Sequence, residues 1–257
     1  MDVLLAAGTA LVGVAVGGAL DPVGQQLADA SAAAEAARRA EKTAPDESPH
    51  PVEDAPVTTR VVHLLPSGRS PGRTAGAALV TGVLFGAAAW RFDWHLVLAP
   101  YCVFFAMLVT ISVTDLTHRL VPRRLVYGGM ALIVPLLVAT AGVTGTWHDL
   151  VGSVIGGAVA FGLFFVVWWF VPRGMGFGDV RLAGAIGFTV GYLSLLHAYL
   201  AFLSGFVVGL LFGLVVMGVS SSGRKTRIPF APSLAIGAVI AVLWGGHLAH
   251  GLFNSGS

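Results

Sequence analysis

A single cysteine, Cys102, stands among 257 residues. That excludes a disulfide framework and any CxxC metal site. Charge is nearly as scarce: 11% of the residues are Asp, Glu, Lys or Arg, and from Thr74 onward there is no Glu and only four Asp. With 56% hydrophobic residues and 34 glycines, the chain lies outside the range of soluble domains and falls in the membrane class. No internal repeat stands out, and no nucleic-acid partner is expected.

What is present is a series of apolar runs. About 20 residues at 1.5 Å rise cross a hydrocarbon core of ~30 Å. Runs of roughly this length fall at 3–20, 74–92, 94–114, 125–143, 150–171, 180–193, 195–219 and 228–252. They predict an all-α, polytopic integral membrane protein with about eight transmembrane helices. The sixth and seventh come from one apolar stretch, 182–219, divided near Gly191 to Ser194. The first run follows Met1-Asp2 without a basic n-region or a clear cleavage site, so it reads as a retained anchor rather than a signal peptide.

The domain organisation that follows is an anchor at 1–20, a linker at 21–73 and a helical membrane domain at 74–253. Within the linker, 28–42 is Ala-rich with mixed charges and reads as a polar helix. The Pro-rich, acidic TAPDESPHPVEDAPVTT that follows is expected to be disordered. Alternate loops hold fourteen of the fifteen Lys and Arg residues, Arg91 being the exception. The positive-inside rule makes those loops cytoplasmic and puts both termini outside.

Of the four aspartates after Thr74, Asp93 and Asp149 fall in short outer loops, where a solvated carboxylate needs no explanation. Asp115 ends the third span in VTISVTDLTHRLVPRRL, and Asp179 opens the sixth in GMGFGDVRL. Both sit at the cytoplasmic edge of the bilayer, on different helices. Ionised acids are costly at such depth, so a pair tends to share a proton and titrate as a unit. One carboxylate can then take a proton from water while the other, protonated, polarises a carbonyl, which is the equipment of an aspartic protease. Two blander readings stay open: a solvated helix end, or a helix cap formed by Asp179.

Gly174, Gly176 and Gly178 lead into Asp179. GMGFGD does not fit GxGxxG, and no buried strand precedes it, so a dinucleotide loop is not indicated. Without side chains, the backbone here can approach another backbone, as an enzyme must when it holds a peptide in extended form beside its acids. The alternative is a plain interhelical turn.

The pairing of DLTHRLVPRRL with GMGFGDVRLAG resembles the type IV prepilin peptidases, GxGD-type intramembrane aspartyl proteases. The likeness covers roughly 74–253 and includes a third element, KTRIPFAPSLAIGA at 225–238. It implies that Asp115 and Asp179 are the catalytic acids of an endopeptidase in the cytoplasmic membrane. The substrate implied is a pilin or pseudopilin precursor, cut after a Gly ahead of its hydrophobic helix to release a basic leader. Arg181 stands where the family usually has Lys, and Ala231 where Gly is common. The zinc-binding CxxC pairs and the short basic motif of many members are absent here. No cofactor is implied for the peptidase; S-adenosylmethionine is implied only if methylation of the new amino terminus is retained. Oligomeric state is left open.

A proton-coupled transporter is the alternative from another class, since it too would use buried acids and broken helices. Transporters commonly place such acids near the midplane and show repeated halves, neither of which this chain does. His118 lies three residues from Asp115 and reads as an interfacial histidine before a catalytic one. Arg119, Arg123 and Arg124 are expected to anchor to lipid phosphates. The stripes Gly205, Gly209, Gly213 and Gly152, Gly156 read as helix-packing surfaces.

Overall fold

The computed structural model describes residues 3–43, 71–93, 95–118, 121–171, 176–219 and 230–253. Every regular element among them is helical: α1 (Val3–Thr43), α2 (Pro71–Phe92), α3 (Leu98–His118), α4 (Arg123–Thr144), α5 (Trp147–Phe170), α6 (Phe177–Gly191), α7 (Leu195–Val219) and α8 (Ala231–Phe253). Six of these, all but α6 and α8, are long and apolar enough to cross a membrane. The chain is therefore a multi-pass membrane protein. The division expected near Gly191 to Ser194 is present, with α6 ending at Gly191 and α7 starting at Leu195.

The first helix differs from its sequence-based bounds. Instead of stopping at residue 20, it continues through Asp21-Pro22 to Thr43 and takes in the polar helix expected at 28–42. A proline inside a helix removes one backbone hydrogen bond and commonly breaks or kinks it. Here tertiary contacts hold both sides of Pro22. Thr74 Oγ1 donates to Asp21 Oδ2 at 2.8 Å, and Arg73 Nε lies 3.6 Å from Asp21 Oδ1. Beyond the proline, Gly24 lies directly on Thr110 of α3. The stretch expected to be disordered lies outside the described residues, Thr43 excepted.

Between helices in lipid the hydrophobic effect supplies little attraction, so close packing of small residues replaces it. The three closest pairings, α1 with α2, α5 with α6 and α7 with α8, follow this rule. Gly13 and Gly17 of α1 face Gly82 and Thr81 of α2, and Gly152 and Gly156 of α5 face Gly191 and Gly187 of α6. Gly205 and Gly209 of α7 face Leu234 and Ser233 of α8. Both glycine stripes read from the sequence are thus packing seams, as far as these residues go. The central helix is α3, which contacts α1, α2, α4 and α8 and buries Tyr101, Phe104, Phe105, Leu108 and Ile111. It ends one turn after Asp115.

Candidate active site

Asp115 lies on the last turn of α3 and is 5% exposed. Its Oδ2 accepts a hydrogen bond from the backbone N–H of Ala231 at 3.2 Å. Ala231 is the first residue of α8, so the carboxylate meets the positive end of that helix's dipole and one of its free N–H groups. Phe230, just before it, is wedged against Phe164 of α5 and Phe206 of α7, with ring centroids 6.4 and 5.7 Å apart. That wedge fixes where α8 begins. The third sequence element is therefore structurally joined to the first.

Asp179 occupies the first turn of α6. The N–H of Gly176 donates to its Oδ2 at 3.3 Å, and its own N–H donates to Gly176 O at 3.0 Å. This is half of a capping box, since Gly176 has no side chain to return the bond. The capping role left open by the sequence is therefore real, and it is compatible with a second one: the other carboxylate oxygen is not used by the cap. Asp115 and Asp179 lie within electrostatic reach of each other.

The two motifs also touch. A Cβ added to Gly178 would stand 2.8 Å from Val121 Cβ and 3.3 Å from Val121 O. Val121 precedes Pro122, which starts α4 in an extended conformation (φ −64°, ψ 126°). Gly178 thus lets α6 dock on the connection that follows Asp115. Gly176 is different: its φ of −77° and ψ of 146° suit any residue, and the nearest atom to an added Cβ is 3.6 Å away. Gly174 lies outside the described residues. Tyr101 supplies a further link, its hydroxyl donating to Thr189 O at 2.8 Å from α3 to α6.

Near the pair, Arg181 places its guanidinium 4.4 Å from the centroid of the Phe177 ring and 5.9 Å from that of Tyr127, a cation–π position. His118 turns towards α1. Its Nε2 lies 2.7 Å from Gln25 Oε1 and 3.6 Å from Asp29 Oδ1, and Thr117 Oγ1 also reaches Gln25 at 3.3 Å. Its contacts tie α1 to α3 rather than tuning Asp115. Arg123 and Arg124 are exposed, while Arg119 is not among the described residues.

Sequence reasoning missed the cluster of buried Asp21 with the half-buried Arg73 and Thr74. The signal was available: an acid just past one apolar run and a base just before the next, at matching depth, is the same argument that paired Asp115 with Asp179. Among the described residues no three His, Cys, Asp or Glu side chains group as a metal site. Asp93 and Asp149 lie at the opposite end of the bundle, Asp149 in the first turn of α5 and beside His148.

Fold and site together define a multi-pass helical membrane protein that gathers two carboxylates from separate helices at one end of its bundle. Residues 102–219 match the Type IV leader peptidase family. The chain is 32% identical over 171 residues to a prepilin leader peptidase/N-methyltransferase of Bacillus subtilis, covering 66% of this chain and 65% of that protein. Relatives of the same name in Xanthomonas campestris and Pseudomonas aeruginosa are 30% identical over 189 residues and 31% over 172, with 67% and 65% of this chain covered. The chain spans 59% and 57% of those two proteins, so less than two thirds of each of the three. No solved structure matches.

Proposed function

We propose that this protein is an aspartic endopeptidase of the cytoplasmic membrane that removes the basic leader from pilin-like or pseudopilin-like precursors. The observation that carries the reading is that Asp115 of α3 and Asp179 of α6 lie within electrostatic reach of each other, inside the segment that matches the leader peptidases. On the positive-inside reading this site faces the cytoplasm and both termini lie outside. Substrate and membrane lipids are the partners.

The reaction uses the chain's own acids. The ionised carboxylate takes a proton from a water molecule, whose oxygen attacks the scissile carbonyl carbon, while the protonated carboxyl hydrogen-bonds the carbonyl oxygen as negative charge develops there. Collapse of the tetrahedral intermediate breaks the C–N bond, and a carboxyl proton passes to the leaving nitrogen. One acid and one base suffice. S-adenosylmethionine belongs to the methyltransferase part of the relatives' name. The cavity bounded by α2, α3 and α8, with Arg73 and Ser112 as its polar side chains, does not fit that molecule's charged amino-acid end. The peptidase step proceeds without it.

The reading is tested by incubating the purified full chain with a full-length prepilin and following release of the leader. Cleavage in excess chelator is expected at an unchanged rate, because neither proton transfer uses a metal. Loss of activity on chelation, with zinc bound stoichiometrically, would reveal a metal site this reading lacks.

The glycines supply a second test. Gly178→Val is expected to lift α6 from Val121 and to lower both folded yield and cleavage, the latter on the order of a hundredfold, since ångström-scale displacement of a reacting group costs that much. Gly176→Val fits without collision and is expected to leave the fold intact while slowing cleavage, because a branched side chain there obstructs an approaching backbone. Full activity of Gly176→Val would remove any part for this glycine in presenting the substrate.

A further inference from the structure

Next to the Asp115 end of α3, helices α2, α3 and α8 diverge around a cavity of about 470 Å³. Its floor is α3, where Leu108 and Val109 are buried, and its walls are Val80 and Leu84 of α2 with Ile236 and Val239 of α8. Val80 and Ile236 stand exposed at the lips, so the cavity is a groove open to the side of the bundle. Of its fourteen lining residues only Arg73 and Ser112 carry polar side chains. Along α2 it runs from Arg73 to Leu84, about three helical turns or roughly 17 Å at 1.5 Å per residue.

The groove leads towards Asp115. Val113 in its floor is two residues before Asp115, and Pro232 in its wall adjoins Ala231, whose N–H donates to Asp115. Arg73 marks the same end and is already engaged by Asp21 at 3.6 Å. We propose that this groove seats the apolar helix of the substrate beside the bond to be cut and thereby selects the substrate, a proposal that rests on the peptidase reading above. A chain lying in it delivers the end of its apolar segment within one turn of Asp115. A lipid tail would match the lining, but its headgroup would have to compete with Asp21 for Arg73. In a bilayer such a seat works by shape, since burial from lipid supplies little affinity. Gly76 leaves a notch for an incoming side chain, for an added Cβ there meets nothing within 4 Å.

The test uses the full chain in membranes with a full-length prepilin. A benzophenone side chain in place of Val80 or Ile236, in the Asp115→Asn background that holds substrate uncut, is expected to crosslink to the prepilin's apolar segment. The same group in place of Leu163, exposed on α5, is expected to give no such product. Gly76→Phe, which fills the notch, is expected to slow cleavage of the anchored prepilin about ten-fold or more, as loss of a shaped apolar contact does. Gly162→Phe, which also has open space but lies on α5, is expected to keep the wild-type rate. Crosslinks from Val80 and Ile236 to phospholipid or to a second copy only, or a wild-type rate in Gly76→Phe, would overturn the groove assignment while wild-type cleavage left the peptidase reading standing. If the wild-type chain cleaves no prepilin, both fall together.

Discussion

Asp115→Asn and Asp179→Asn are each expected to lower prepilin cleavage by about a thousandfold or more, the scale of a lost acid or base in a step that needs both. Asparagine is the informative replacement because it can keep the hydrogen bonds these acids accept among the described residues. Its amide oxygen can still accept from the Ala231 N–H that holds α8, and from the Gly176 N–H that caps α6. What it loses is the capacity to take up or give a proton. The structural reading of Asp179 predicts the contrary pattern: near-normal turnover in Asp179→Asn, with loss only in Asp179→Ala, where the cap itself is removed at about 1 kcal/mol. Cleavage rates of these variants, each normalised to folded protein by its thermal unfolding, therefore separate a catalytic acid from a cap. Near-normal turnover in either Asn variant would sink the dyad.

The candidate site was legible because acids are so rare in this chain. Of four aspartates after Thr74, two had an ordinary place in the outer loops, and the remaining two shared one depth. Helix number and the break near Gly191 followed from hydropathy and length. What periodicity could not show were the contacts between distant segments. Pro22 looked like the end of a helix, yet Thr74 and Arg73, some fifty residues later, grip Asp21 beside it. His118 looked like a neighbour of Asp115, yet its ring faces Gln25 of α1, a residue the apolar pattern had assigned to a linker. KTRIPFAPSLAIGA was recognised as an element, but only the fold reveals that its Ala231 N–H holds Asp115. The glycines divide in the same way: three alternating residues read as one motif, whereas Gly178 packs on Val121 and Gly176 stands clear.

Gly156→Leu is expected to unseat α6 and with it Asp179. Two backbones meet at this point: an added Cβ at Gly156 would lie 2.5 Å from Gly187 O and 3.3 Å from Gly191 Cα, and one at Gly152 would lie 2.8 Å from Gly191 O. Overpacking a core usually costs ~1–3 kcal/mol when neighbouring side chains can turn aside. Here the obstacle is main chain, so the helices must separate, and the cost is expected at or above the top of that range. Separation also breaks the dry contact of small residues that holds helices together in lipid. The displacement reaches the site because α6 is short: Asp179 lies eight residues before Gly187, about 12 Å along the axis, on a helix whose start is seated on Val121 through Gly178. Gly162→Leu is the matched control. It lies in the same helix, an added Cβ meets nothing within 4 Å, and replacing glycine in a helix is mildly favourable, by up to about 1 kcal/mol. Thermal unfolding in detergent and prepilin cleavage are expected to fall together in Gly156→Leu and to hold in Gly162→Leu. Equal behaviour of the two variants would mean that the α5–α6 seam does not position the carboxylate.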